Sequence, residues 1–285
     1  MPSWSAPLIG PGLVVDLSRP IAVSVPIVFA RNDGAPRAFG LPPPRSSAVE
    51  VGAFIGDVRR GGSCNCETHT LTPHGDGTHT EGVGHLLHER VSVLDLVDVG
   101  LMPALLVSVE PVRLDGVEDD VVGNHASDDL VIDELSLMEA IERAMRGAPA
   151  NVKPRALLVR TGPGEHRRAR AVSVTNPAYF TVDAAAWVCG RGYQHLLVDL
   201  PSLDRRDDGG LLGAHRAFFD VPARAVRIHG PPPRRTITEL VAVDALIADG
   251  MYALLLQLAP IIADAVPSRP LLFPLVSTSS TWLRS

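Results

Sequence analysis

Short apolar runs and one strongly periodic amphipathic stretch divide the chain. Val14 to Leu17 stops at Ser18-Arg19-Pro20, which predicts an N-terminal strand entering a turn. Val51 to Val58 and Ser63 to Leu71 predict two further strands. In the second, Cys64, Cys66, Thr68 and Thr70 alternate with the polar Asn65, Glu67 and His69. Met102 to Val109, Ala156 to Gly162 and His195 to Leu200 read as buried strands, the second ending at a glycine. Asp133 to Arg146 predicts the clearest helix, with Leu135, Met138, Ile141, Glu142 and Met145 at spacings of three and four and Gly147 as its stop. Asp133 and Glu134 favour its positive N-terminal end. Tyr179 to Val188 also has helical spacing. Residues 31–48, with Pro42-Pro43-Pro44, predict a long irregular loop that would serve as a substrate lid, an oligomer contact or a plain linker. Residues 114–129 predict an acidic loop. The sum is an α+β fold with a mostly β core and several helices packed on it.

Composition narrows the class. The 285 residues are 46% hydrophobic and 20% charged, which is globular and long enough to bury a sizeable core. A formal net charge of −6 offers no basic footprint, so no nucleic-acid partner is expected. Three cysteines do not make a disulfide scaffold. Cys64-Asn65-Cys66 is too cramped for an ordinary disulfide; buried thiols near the main site, or a soft metal site, are its two readings. The longest apolar stretch, Met251 to Val266, is interrupted by Gln257, Pro260 and Asp264 and is too short to span a bilayer. With no charged start followed by an apolar run, a cytoplasmic location and no membrane association are expected.

The chemistry concentrates between residues 69 and 88. Five of the ten histidines (His69, His74, His79, His85 and His88) lie there, together with Asp76, Glu81 and glycines at 75, 77, 82 and 84. Imidazole and carboxylate are the ligands that Zn²⁺ and Mn²⁺ accept, and glycines let several side chains converge on one point. His79 and Glu81 are two apart, so an extended segment places both on one face. They are the first ligand candidates, with His74 a further one, His85 a ligand or proton shuttle, and His69 and His88 surface or outlying residues. A solvated, glycine-rich surface turn is the alternative.

Gly77-Thr78-His79-Thr80-Glu81, with His85 four residues later, resembles the signature of the cyclase / kynurenine formamidase (arylformamidase) family, His-x-Gly-Thr-His-x-Asp followed by x-x-x-His. Glu81 stands where that pattern has aspartate, and His74 lies one residue too far upstream, so Asp76 competes with it as first ligand. Further matches follow in order along the chain: Asp16-Leu17-Ser18, Arg160-Thr161-Gly162, Asp199-x-Pro201-Ser202-x-Asp204, Ala214-His215 and Glu239. Leu240 replaces the asparagine expected after that glutamate, and the gap from His215 to Glu239 is longer than expected.

The resemblance implies a swivelling β/β/α-type, cyclase-like domain over residues 1–285. It is kept whole because residues near 80 and near 215–239 must meet. It implies one ion held by His79 and Glu81 with His74 or Asp76, a second held by Glu81, His215 and Glu239, and His85 as the catalytic proton carrier. The cofactor is then a divalent metal, Zn or Mn, with up to two ions per subunit. The reaction is metal-dependent hydrolysis of an amide in a small-molecule substrate, such as N-formylkynurenine to kynurenine and formate. The same scaffold acting on a cyclic amide, closing a polyketide-type ring, or binding ligand without catalysis are the other readings. A homodimer or homotetramer is expected. Arg160 either meets an anionic substrate or pairs with a structural carboxylate. Phe29, Phe39, Phe54, Trp187 and Phe218 are expected in the core.

Overall fold

Seven strands close into a ring in the computed structural model, which describes residues 8–10, 13–29, 38–148, 152–162 and 176–277. They are His79–Gly82 (β1), Leu101–Ser108 (β2), Ala156–Arg160 (β3), His195–Val198 (β4), Thr236–Glu239 (β5), Gly250–Leu258 (β6) and Ala265–Ser277 (β7). The order around the ring is β7-β6-β2-β3-β4-β5-β1, and β1 pairs back onto β7. Pairings from β2 through β5 are parallel, whereas those involving β1, β6 and β7 are antiparallel. Closure removes the exposed edges that an open sheet of this length would carry. The short strands Leu13–Val15 and Ile21–Ala22 add onto β7.

Among the described residues four α-helices accompany the barrel: Pro73–Asp76 (α1), Glu134–Met145 (α2), Val182–Gly190 (α3) and Gly213–Phe219 (α4). The central strands β3 and β4 are buried on both faces, so their sequences read as largely apolar runs. Leu157 and Val159 of β3 join Leu137 and Ala140 of α2, Ala185 and Val188 of α3, and Phe218 and Phe219 of α4. Ala156 and Leu158 turn the other way, to Met102, Ala104, Leu106, Leu197 and Leu254, and fill the barrel. Each fully buried Leu or Val in these layers contributes roughly 1.5–3 kcal/mol. The expected mostly β, mixed α/β architecture is the one observed.

Several expected elements change in detail. The buried stripe of α2 is Leu137 and Ala140, flanked by Ile141 and Ala144, while Leu135 is exposed. Two overlapping stripes have helical spacing, and the barrel wall takes the one whose alanines allow close approach. Residues 51–58 are not one strand. Glu50–Val51 and Phe54–Ile55 form a hairpin, with Gly52 in the left-handed region at φ 58°, followed by a 3₁₀ turn at Val58–Arg60. The strand expected over 63–71 shortens to Glu67–Thr70 and pairs with Arg45–Ala48, so part of the proline-rich loop is a strand; residues 31–37 lie outside the described residues. Tyr179–Phe180 is a strand, and α3 begins only after Thr181, whose hydroxyl accepts the N–H of Ala184. Phe39 and Phe54 are partly exposed, unlike the buried Phe218, and Cys64 and Cys66 are exposed, so the buried-thiol reading of that pair is corrected. Among the described residues no helix is long and apolar enough to cross a membrane.

Candidate metal centre

The period of a strand brings the first donors together. His79 and Glu81 share one face of β1, and antiparallel pairing with β5 sets Glu239 opposite His79 and Ile237 opposite Glu81. Ile237 belongs to the layer beneath the helices, so these three polar side chains face that layer too. Thr80 and Thr238 turn to the opposite face and share a 2.8 Å hydroxyl–hydroxyl hydrogen bond. From the helix layer α4 adds His215. Its position is fixed by Asp204, whose carboxylate accepts the N–H groups of Ala214 at 2.7 Å and His215 at 3.1 Å, and His215 Nδ1 at 2.5 Å.

A second clamp joins the entry to β1 and the exit from β5. The Thr78 hydroxyl accepts the N–H of Val25 at 2.7 Å and donates to the carbonyl of Leu240 at 2.5 Å. Leu240 sits in the left-handed region at φ 56°, a conformation that L side chains rarely adopt and that costs of order 1–3 kcal/mol. The asparagine absent from this position would tolerate that region better. Thr78→Val should therefore lower unfolding stability by about 1–3 kcal/mol in a denaturant titration, because two buried backbone groups lose their partner.

The glycines act by closeness. None of Gly75, Gly77, Gly82 and Gly84 has a left-handed φ; a Cβ on Gly77 would instead lie 2.9 Å from the Val25 carbonyl and 2.8 Å from Ile27 Cγ1.

Five imidazole–carboxylate approaches cluster around Glu81 and Glu239. His79 Nε2 is 3.2 Å from Glu239 Oε2, and His215 Nε2 is 2.9 Å from Glu81 Oε1 and 3.4 Å from Glu239 Oε1. His74 Nδ1 is 3.1 Å and His85 Nδ1 3.9 Å from Glu81 Oε2. These are close approaches without full alignment: His79 Nε2 and both Glu81 oxygens remain buried with no hydrogen-bond partner. Orphaned polar atoms of this kind cost several kcal/mol in a protein interior, which is the signature of a missing common partner. His79 Nδ1 lies 3.1 Å from the carbonyl of Gly77. A carbonyl only accepts, so Nδ1 carries the hydrogen and the Nε2 lone pair faces Glu239. His215 repeats the pattern, with Nδ1 held by Asp204. Imidazoles oriented this way by oxygen acceptors are the usual support of a metal site. The donor set fits a divalent cation.

Among the described residues two groups of donors lie close enough to hold an ion: His79 with Glu81 and Glu239, and His74 with Glu81 and His85. The structure thus divides the expected ligands differently. Glu239 stands with His79, His215 touches both glutamates, and His85 lies at ligand distance as well as in reach of a proton-transfer role. Asp76 is in neither group; its Oδ2 accepts the N–H of Thr72 at 2.7 Å, closing the turn of α1. His69 stacks on Phe29 at 4.3 Å and is exposed, as is His88. Arg160 binds Asp249, Ser108 and the carbonyls of Asp244 and Ile247, the structural alternative of its two readings.

Sequence reasoning assigned no role to Asp264, although its Oδ2 lies 3.5 Å from His85 Nδ1 and 3.8 Å from His74 Nε2. It matched Asp204 to a pattern but gave it no task. The only signal for Asp264 was an acid interrupting an apolar stretch.

Charge balance follows from this geometry. Burial opposes protonation of His74, but Asp264 and Glu81 outweigh it and push its pKa up to about 10. Burial also opposes the His215 cation, which Glu81, Asp204 and Glu239 hold well above the ordinary value. Glu81 and Glu239 stay ionised below the usual carboxylate range, against burial. His85 and His215 beside the first, and His215 and His79 beside the second, are responsible. Cation entry would displace these protons. Asp204→Asn, which weakens the grip on His215 Nδ1, should loosen metal binding about 10–100-fold in a chelator competition.

A closed mixed barrel carrying a buried imidazole–carboxylate cluster at its wall, under one short helix, defines a mixed α/β protein with a candidate metal centre. Residues 15–205, well over half of the chain, match the family model described as "Putative cyclase", and the chain belongs to this cyclase family. Solved structures share the fold at low identity. One, called a predicted metal-dependent hydrolase, from Bacillus stearothermophilus, is 16% identical with a TM-score of 0.53, covering 90% of this chain and 98% of that one. Isatin hydrolase A from Ralstonia solanacearum is 14% identical with a TM-score of 0.55, covering 91% and 92%. A novel cyclase is 13% identical with a TM-score of 0.58, covering 91% and 90%. No curated protein matches the chain at a comparable level of significance.

Proposed function

We propose that this chain is a divalent-metal-dependent hydrolase of amide bonds in small molecules. The observation that carries the reading is the trio of buried, unpartnered atoms, His79 Nε2 and both Glu81 oxygens, in a cluster where donor atoms of His79, Glu81 and Glu239 lie within 4.8 Å of one another. A divalent cation bound there supplies Lewis acidity, lowering the pKa of a water and polarising the amide carbonyl. The chain's own residues do the rest. His79, Glu81 and Glu239 would hold the cation, with His215 beside both glutamates and His74 on the outer side, and Asp204 and the Gly77 carbonyl fix the tautomers of His215 and His79. His85, partly exposed at 27%, takes the proton of the attacking water and returns it to the leaving nitrogen. Water adds to the carbonyl carbon, the C–N bond breaks, and a carboxylate, an amine and one net proton leave.

An aryl formamide such as N-formylkynurenine is the first substrate to assay. A cyclic amide is the second, because three of the similar solved structures are of isatin hydrolases, those from Labrenzia aggregata and Ralstonia solanacearum among them. Zn²⁺- and Mn²⁺-loaded protein should hydrolyse at least one of the two classes, with release of formate or of the opened-ring acid followed by absorbance. Metal-loaded protein inert toward both would remove the amide-hydrolase reading and leave ring closure or ligand binding.

A further inference from the structure

The carboxylate nearest His85 on the outer side of the site belongs to a part of the chain far away in sequence. Asp264 immediately precedes β7, and β7 pairs with β1 so that Ala265 lies opposite Glu81. Its backbone is anchored on both sides: the Asp264 carbonyl accepts the N–H of Gly82 at 3.0 Å and the Ala263 carbonyl accepts that of Val93 at 2.9 Å. Space for its side chain depends on Gly84, the residue before His85. A Cβ at position 84 would stand 3.3 Å from Asp264 Cβ and 2.5 Å from the Val91 carbonyl. Backbone pairing and a neighbouring glycine therefore hold this acid against the turn that carries His85. Asp264 is 43% exposed and Glu81 only 1%, so the two acids lie on the solvent side and the buried side of His85.

We propose that Asp264 is a positioning residue for His85, fixing its ring orientation and tautomer for proton transfer, in a carboxylate–imidazole pair at the mouth of the site. Two carboxylate oxygens approach His85 Nδ1, Asp264 Oδ2 at 3.5 Å and Glu81 Oε2 at 3.9 Å. Carboxylates accept, so Nδ1 carries the hydrogen and Nε2 keeps the lone pair that takes the substrate-side proton. A separation of 3.5 Å is longer than a formed hydrogen bond, and such pairs tighten when substrate is bound. Hydrogen bonding from His74 and His85, and the charge on His74, hold the Asp264 carboxyl well below the usual carboxylate range. A bound cation would compete with Asp264 for His85 Nδ1; the pairing assigns that nitrogen to Asp264 and leaves the ion to the deeper donors. The inference rests on the amide-hydrolase reading for its kinetic consequence, but not for the tautomer it assigns.

The test compares wild type with Asp264→Asn and Asp264→Glu, each metal-loaded. The asparagine variant should lose about 10–100-fold in kcat with KM and bound metal unchanged, and the glutamate variant should recover part of the loss. Nitrogen-15 NMR of the histidine rings should show His85 as the Nδ1–H tautomer in wild type and as a mixture in Asp264→Asn. Unchanged kcat, a loss that tracks loss of metal, or a His85 tautomer indifferent to the substitution would overturn the proposal. If wild type hydrolyses no amide, the hydrolase reading falls, and the NMR comparison still decides whether Asp264 orients His85.

Discussion

Glu81→Gln is expected to abolish both metal retention and turnover, with kcat/KM falling by about 1000-fold or more. Glu81 belongs to both groups of donors, and three imidazoles converge on it, those of His215, His74 and His85. Glutamine keeps the volume and removes the charge. Its amide nitrogen has no lone pair free to ligate a cation, so a charged two-oxygen donor becomes one neutral carbonyl. Losing several kcal/mol of transition-state stabilisation corresponds to about three decades in rate, at 1.36 kcal/mol per decade. Elemental analysis and steady-state kinetics on the same preparation check this. Far-ultraviolet circular dichroism should stay unchanged, since the barrel pairing of β1 does not depend on the carboxylate. A variant that keeps its metal and its rate would remove Glu81 from the site.

Chelation is expected to have the second-largest effect, on stability. An ion that binds only the folded chain stabilises it by about 2.7 kcal/mol at one hundred times its dissociation constant. For a chain of this size that corresponds to an increase of about 5–10 °C in the thermal midpoint. The metal-free protein retains a partial substitute, because protonated His74 and His215 lie beside the ionised Glu81 and Glu239. It should therefore remain folded after chelation, at a lower midpoint that Zn²⁺ or Mn²⁺ restores. Differential scanning calorimetry with and without chelator measures the shift. Equal midpoints would mean that the cluster holds no ion.

What the sequence disclosed depended on whether the physics was local. His79 and Glu81 are two residues apart on a strand, so their common face could be read directly, and the apolar runs of β2, β3 and β4 announced buried strands. The phase of α2 could not be read, because Leu135-Met138-Ile141-Met145 and Leu137-Ala140-Ile141-Ala144 are both helical stripes. Only the barrel wall chooses between them. The glycine cluster was legible as a place of convergence but not in its mechanism, which is contact with Ile27, the Val25 carbonyl and Leu96 rather than unusual dihedral angles. Asp76 looked like a ligand by proximity in sequence and proved to be the hydrogen-bond acceptor of its own turn. Asp264 was invisible for the opposite reason: the β1–β7 pairing that closes the barrel carries it next to His85 from the far end of the chain. Exposed Cys64 and Cys66 show the same limit, since alternation assigns them a face without saying whether anything covers it.

The buried histidines and glutamates of β1, β5 and α4 are expected to share a divalent cation. Anomalous diffraction from crystals of zinc- or manganese-replete protein tests it most directly. A peak is expected within coordination distance of His79 Nε2, Glu81 and Glu239. A map with no peak there, or with its only peak at another cluster of donors, would contradict it.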